Sequence, residues 1–172
     1  MRLRIPKAMI ERWASDLKGA GRKEIGGVLF GEQIAEGDFR IVEATRQRFF
    51  GGTVTTFKRR GGAARREILA LHKEFGGDPE RFNYFGEWHS HPAAPVWPSL
   101  QDEITMYNLL ADQGEAVNFL VLIIVKLDAD AQFHIGAQTY LASGHKMNCE
   151  IEIEDAERDI ACAAPSDAED EK

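Results

Sequence analysis

The sequence predicts one mixed α/β domain, and three observations point to it. Its 172 residues, 44% of them apolar, suffice for a single hydrophobic core. Stretches of helical period alternate with β-rich runs along the chain. No internal repeat and no linker composition divides two cores. The expected division is a folded domain over residues 1–155 and an acidic, disordered C-terminal tail over 156–172.

The elements follow in order. Pro6 to Lys18 places Ala8, Met9, Ile10, Trp13, Ala14 and Leu17 at helical spacing, with proline near the start. Gly19-Ala20-Gly21 stops that helix. Glu24 to Gly31 reads as a short buried strand whose glycines mark close backbone approach. Phe39–Thr45 and Thr53–Phe57 are β-rich, with Gly51-Gly52 between them. Ala63 to Phe75 is helical and ends at Gly76-Gly77. A strand over Asn83–Ser90 runs into a loop stiffened by Pro92, Pro95 and Pro98. Ser99 opens a helix to about Gln113, apolar at Ile104, Met106, Leu109 and Leu110. Val117–Leu127 and Gln132–Tyr140 pair around Asp128–Asp130, and Met147–Ile153 adds another strand.

Composition excludes several classes. The longest apolar run, Phe119–Val125, falls far short of the ~18 residues of a membrane span. The first residues lack the apolar stretch and cleavage site of an export signal, so a cytoplasmic protein is expected. Cys149 and Cys162 are too few for a disulfide framework or a four-thiolate zinc site. Metal ligands would have to be His, Asp or Glu. The net charge of −7 belongs to the C-terminus: residues 150–172 carry ten acids against two bases, which leaves the first 149 residues at +1. The stretch Arg46–Arg66 holds seven bases and no acid. A solvated strand edge and helix start account for it better than a nucleic-acid or acidic-substrate surface. A clasp by the acidic C-terminus is a third reading.

Chemistry concentrates at Trp88-His89-Ser90-His91-Pro92. On a strand, residues i and i+2 share a face, so His89 and His91 present two imidazoles side by side. Alone, that pair is as often chance as metal. Seven residues later comes Ser99, and after two more Asp102. Ser99 reads as a helix N-cap with an acid in the first turn. A capped helix there can also hold a carboxylate against the strand. His, His and Asp would leave a fourth tetrahedral position for water, the catalytic rather than the structural zinc pattern.

The arrangement His89-x-His91-x7-Ser99-x2-Asp102, with Glu24 ahead of Gly26-Gly27-Val28-Leu29-Phe30-Gly31, resembles the JAMM motif of the JAB1/MPN/Mov34 metalloproteases without a gap. The resemblance covers about residues 1–140. It implies a single MPN-type α/β domain, a curved mixed β-sheet flanked by helices, and a Zn2+ hydrolase of peptide or isopeptide bonds with one ion per chain. By position, His89, His91 and Asp102 would bind the metal. Glu24 would take a proton from the attacking water and pass it to the leaving amine, and Ser99 would hydrogen-bond the oxyanion. Spacing alone does not choose Glu24 over Glu32 or Glu87; the glycine-rich context after it does, through the resemblance.

The run Tyr84-Phe-Gly-Glu-Trp-His-Ser-His-Pro92 is similar to bacterial members from CBASS-type and ubiquitin-like antiphage operons. That likeness implies a substrate with an extended C-terminal tail, a ubiquitin-like or otherwise conjugated protein, freed from a target lysine or trimmed as a precursor. It also implies activating-like and conjugating-like enzymes of the same operon as partners. The long insertion by which eukaryotic relatives grip polyubiquitin is missing, which argues against linkage selectivity. The alternative is a non-catalytic MPN scaffold that binds partner proteins, whose signature would be a missing motif residue. A metal enzyme acting on nucleic acid ranks third.

Overall fold

Arg2-Leu3-Arg4-Ile5 alternates charged and apolar residues, and the period of two makes it a strand. This is β1 (Arg2–Pro6), with Leu3 and Ile5 fully buried and both arginines facing outward. Pro6 holds extended backbone and serves as the N-cap of α1 (Lys7–Ala20), which ends on Gly21 at positive φ. The remaining elements are β2 (Gly26–Ala35), β3 (Asp38–Ala44), α2 (Gly61–Glu74), β4 (Phe82–Ser90), α3 (Leu100–Gln113), β5 (Phe119–Leu127), β6 (Phe133–Leu141), β7 (Lys146–Asn148) and β8 (Glu150–Glu154). This computed structural model describes residues 1–47, 61–113 and 117–155, with the side chains of 61–64 left aside. The strand expected over Thr53–Phe57, the middle of the basic stretch, and the tail over 156–172 with Cys162 lie outside the described residues.

All eight strands form one sheet in the order β7-β6-β5-β4-β2-β3-β1-β8, mixed in direction. β4 and β5 are parallel, as are β1 with β3 and β1 with β8; the other neighbours are antiparallel. The parallel β4–β5 pair requires a crossover, which α3 supplies.

Alternation along β5 sorts the two faces. Val121, Ile123 and Val125 point to one side, where Met9, Trp13 and Leu17 of α1 pack with Leu29 and Trp88. Leu120, Leu122 and Ile124 point to the other, beneath Met106 and Leu110 of α3 with Tyr84 and Tyr140. Leu71 of α2 covers Phe30 and Phe82 on a smaller patch. A strand with both faces covered is apolar throughout, which is why β5 shows no polar alternation.

The segment expected as one strand over Met147–Ile153 is instead two. β7 pairs with β6 at one sheet edge, and β8 pairs with β1 at the other. Only Cys149 lies between them, its N–H donating to Ala137 while the next N–H, of Glu150, donates to Met1. The two edges therefore meet across one residue, which closes the curved sheet on itself and leaves little open edge. In register with Arg2 and Arg4, β8 brings Glu150, Glu152 and Glu154 beside those arginines. These three glutamates thus engage the arginines of β1, with Arg40 of β3 bonding Glu154 as well, while Asp155 pairs with Lys7.

Candidate metal centre

At the C-terminal end of β4, side chains alternate across the sheet. Trp88 packs into the core under α1, its indole N–H donating to the Thr45 carbonyl at 2.8 Å. Its neighbours Glu87 and His89 face the other way, toward α3, and both are buried. His91 lies one residue past the strand, yet its N–H still bonds Val125 at 3.0 Å, so it continues the same alternation. Ser90 between the histidines is fully buried and fixes β2: its N–H donates to Ile25 O and its Oγ accepts from Ile25 N–H. This double link sets Glu24, the residue before Ile25, beside the histidine strand.

The two imidazoles converge, with Nε2 of His89 and Nε2 of His91 at 3.0 Å. Nδ1 of His91 lies 2.7 Å from the Pro95 carbonyl. A carbonyl only accepts, so Nδ1 carries the proton and, in the neutral ring, Nε2 presents its lone pair. Asp102, in the first turn of α3, sets Oδ1 3.6 Å from His89 Nε2 and Oδ2 3.7 Å from His91 Nε2. Donor atoms of all three residues lie within 4.8 Å of one another.

Ser99 holds the carboxylate as the capping reading expects. Its backbone N–H and hydroxyl both donate to Asp102 Oδ2, at 2.7 and 2.6 Å, and its Oγ accepts the Asp102 N–H at 3.2 Å.

Electrostatics match the geometry. Burial pushes His89 down to about 4, with the charge of His91 adding and Asp102 opposing, so it is neutral at neutral pH. Burial also disfavours the Asp102 anion. It is outweighed by His91, the charge of His89 and the two Ser99 bonds, which hold the carboxyl well below the usual carboxylate range. At His91 burial is again opposed, by Asp102, the Pro95 carbonyl and the charge of Glu24, and its affinity for a proton rises. Glu24 is half-buried, and its charge reaches His91.

Two imidazole nitrogens and an anionic oxygen thus face one point that favours positive charge. Among the described residues, the only ion-pair partners of Asp102 are these two histidines. Two nitrogens and one carboxylate oxygen on a common point suit zinc, and the residues present fit that ion.

Comparison with known proteins places the chain. Residues 6–136 match the family described as prokaryotic homologs of the JAB domain. The chain belongs to that family. This JAB domain is 29% identical over 134 residues to the CD-NTase/cGAS isopeptidase of Enterobacter hormaechei subsp. hoffmannii (strain UCI 50), covering 77% of this chain and 72% of the relative. Its fold is similar to a solution structure from Desulfitobacterium hafniense, with TM-score 0.63 and 19% identity, covering 90% of this chain and 94% of that one. One from Salinibacter ruber gives TM-score 0.56 and 18% identity, covering 91% and 94%. A single α/β domain with a mixed, curved sheet flanked by helices is the architecture of this JAB domain.

The rivals of Glu24 separate by position. Glu32 sits opposite Phe82, six residues from the level of Gly26 and His89, or roughly 20 Å along the strand. It is bonded there to Arg40 and Arg81. Glu87 shares the His89 face two residues below it and stays a geometric neighbour. The other three histidines have separate contacts: His72 against Phe30, His134 with Asp128, His145 with Ser143. Trp97 is 56% exposed in the loop that joins the histidines to Ser99.

Two contributors are absent from the motif reading. Ser90 is the unspecified residue of His-x-His, and its burial between two inward histidines is the available signal. The Pro95 carbonyl is backbone and has no side-chain signature at all.

Proposed function

We propose that this JAB domain is a zinc-dependent isopeptidase or peptidase that cleaves after the C-terminus of a ubiquitin-like or otherwise conjugated protein. The observation that carries the reading is the convergence of His89, His91 and Asp102 on one point, with Glu24 and Ser99 beside it. The isopeptidase name of the Enterobacter relative supports the reaction class. Antiphage defence, and activating-like and conjugating-like enzymes as partners, belong to the same proposal.

His89, His91 and Asp102 would hold the ion. Bound zinc supplies Lewis acidity, which brings the pKa of water toward neutrality and polarises a carbonyl. Glu24 accepts the proton of the attacking water and returns it to the departing amine nitrogen, so the lysine leaves neutral. Ser99 turns its hydroxyl from Asp102 toward the oxygen on which negative charge develops. The Ser99 backbone N–H keeps Oδ2 of Asp102 fixed at 2.7 Å while the hydroxyl is away, so the cap survives the reorientation. An extended substrate tail would pair its backbone beside the sheet to bring the scissile carbonyl to this point.

The test is zinc content together with cleavage of a ubiquitin-like fusion, with and without chelator, for wild type and Glu24→Gln. The expected result is about one zinc per chain, with cleavage lost both to the chelator and to the substitution while Glu24→Gln keeps its zinc. Failure to bind zinc after reconstitution would sink the reading. Full cleavage by Glu24→Gln would move the base to Glu87.

A further inference from the structure

Three successive carbonyls of the loop between His91 and Ser99 are met by three different groups, two through hydrogen bonds and one through close packing. Lys126 of β5 donates Nζ to Ala94 O at 3.1 Å. His91 Nδ1 donates to Pro95 O at 2.7 Å. Val96 O sits against Gly136 of β6, where an added Cβ would lie 2.2 Å from it.

The register explains why these groups meet. Gly26, His89, Ile124 and Gly136 form one row across β2, β4, β5 and β6. His89, Ile124 and Gly136 all face α3, since Ile124 and Tyr140 pack there and Gly136 is four residues from Tyr140. The loop leaves β4 at His91 and crosses β5 and β6 on that face before Ser99 opens α3. Only a residue without Cβ lets the Val96 carbonyl settle on β6, and the conflicting atom is backbone, which cannot swing aside. Lys126, two residues beyond Ile124 on the same face, holds the Ala94 carbonyl.

We infer that Gly136 and Lys126, on the β5–β6 hairpin, are positioning residues of the metal centre: they set the height of loop 92–98, so that Pro95 holds His91 in the tautomer whose Nε2 faces Asp102. The inference rests on the reading of His91 as a ligand. Outer partners that orient a ligating histidine characteristically matter for metal affinity by 10–100-fold. Here the outer partner is a carbonyl, so no side chain of the loop can be mutated to remove it. The residues that place it are the accessible handles.

The experiment uses the full chain labelled with 15N-histidine, as wild type, Gly136→Ala, Lys126→Met and Lys126→Arg. Long-range 1H–15N spectra read the His91 tautomer, chelator competition reads zinc Kd, and thermal melting reports folding. Wild type should show the Nδ1–H tautomer at His91. Gly136→Ala should lose that single tautomer and raise zinc Kd by about ten- to a hundred-fold. Lys126→Met should raise Kd by a smaller factor of about three, with Lys126→Arg, which keeps a donor, near wild type.

A folded Gly136→Ala protein with the wild-type tautomer and zinc affinity overturns the inference. If Gly136→Ala does not fold, a Lys126→Met protein indistinguishable from wild type overturns it. The tautomer needs neither metal nor turnover to be read. A wild type that binds no zinc, yet shows a His91 tautomer that Gly136→Ala loses, defeats the metal reading and leaves the positioning intact.

Discussion

Two charged regions of this domain use similar residue types to opposite ends. Along β1, β3 and β8, Arg2, Arg4 and Arg40 face Asp38, Glu150, Glu152 and Glu154, and cations and anions interleave on one surface. Glu32, only 6% exposed, is bonded by Arg40 on one oxygen and Arg81 on the other. At the end of β4, two buried imidazoles and a carboxylate face one another, and among the described residues no Lys or Arg side chain takes part in the ion pairs of Asp102. A ladder whose charges answer one another stabilises a structure and has no further valence. A cluster of electron-pair donors aimed at one point has a valence left for a cation. The composition of charge does not distinguish a site from a brace; its local balance does.

The largest effects should come from removing a donor at the metal centre. His91→Ala or Asp102→Ala should bring bound zinc from about one per chain to near zero and cleavage to background, as read by metal analysis and a fusion-cleavage assay. Arg40→Met, in the ladder, should leave both at wild-type values. A ladder substitution that strips the metal would break the comparison. Next in size is Glu24→Gln, which keeps the ion and loses the proton acceptor, with kcat expected to fall about 10²–10⁴-fold. Ser99→Ala should lower kcat by about 10²-fold with little change in KM, the mark of a donor used in the transition state. It also removes the cap of α3, at about 1 kcal/mol of stability, so denaturant unfolding is measured beside the kinetics.

Most of this centre was legible because its parts lie close in sequence or share a period. His89 and His91 are two apart on a strand, and Ser99 and Asp102 form a local cap, so each pair is a short-range pattern. What joins the two pairs is long-range. Ser90 bonding Ile25, Lys126 reaching Ala94, and Gly136 admitting Val96 depend on register between strands far apart in the chain. Gly136 stood inside a β-rich run, where a glycine signals close approach, but the approaching atom could not be named. Fold elements show the same limit. The helix starting near Pro6 and the apolar β5 are strong local signals, whereas β1 is only five residues long. The division of Met147–Ile153 into strands on two sheet edges follows from closure of the sheet, which no local period encodes.

The smallest expected effect tests the ladder on its own terms. Arg40 is 12% exposed at its side chain, bonded to Glu154 at 2.7 and 3.0 Å and to Glu32 at 3.0 Å. Removing one partner of a buried pair costs about 3–5 kcal/mol, and partial exposure with Arg81 and Arg4 still in place reduces this to about 1–3 kcal/mol for Arg40→Met. The bonds from Arg40 lower the Glu154 pKa from 4.5, burial opposing them, so the group is depressed in the folded state. Its contribution is therefore fully present above the unfolded value near 4.5 and is lost as pH falls through the folded one. Arg40→Met removes the largest cause of that depression and leaves the smaller one, Arg4. Wild type and variant should differ most near neutral pH in urea unfolding, and their stabilities should converge as the solution is acidified below the folded pKa. A gap that stays constant down the acid limb would mean that Arg40 acts by packing its stem rather than by charge, and the ladder would then be a brace of another kind.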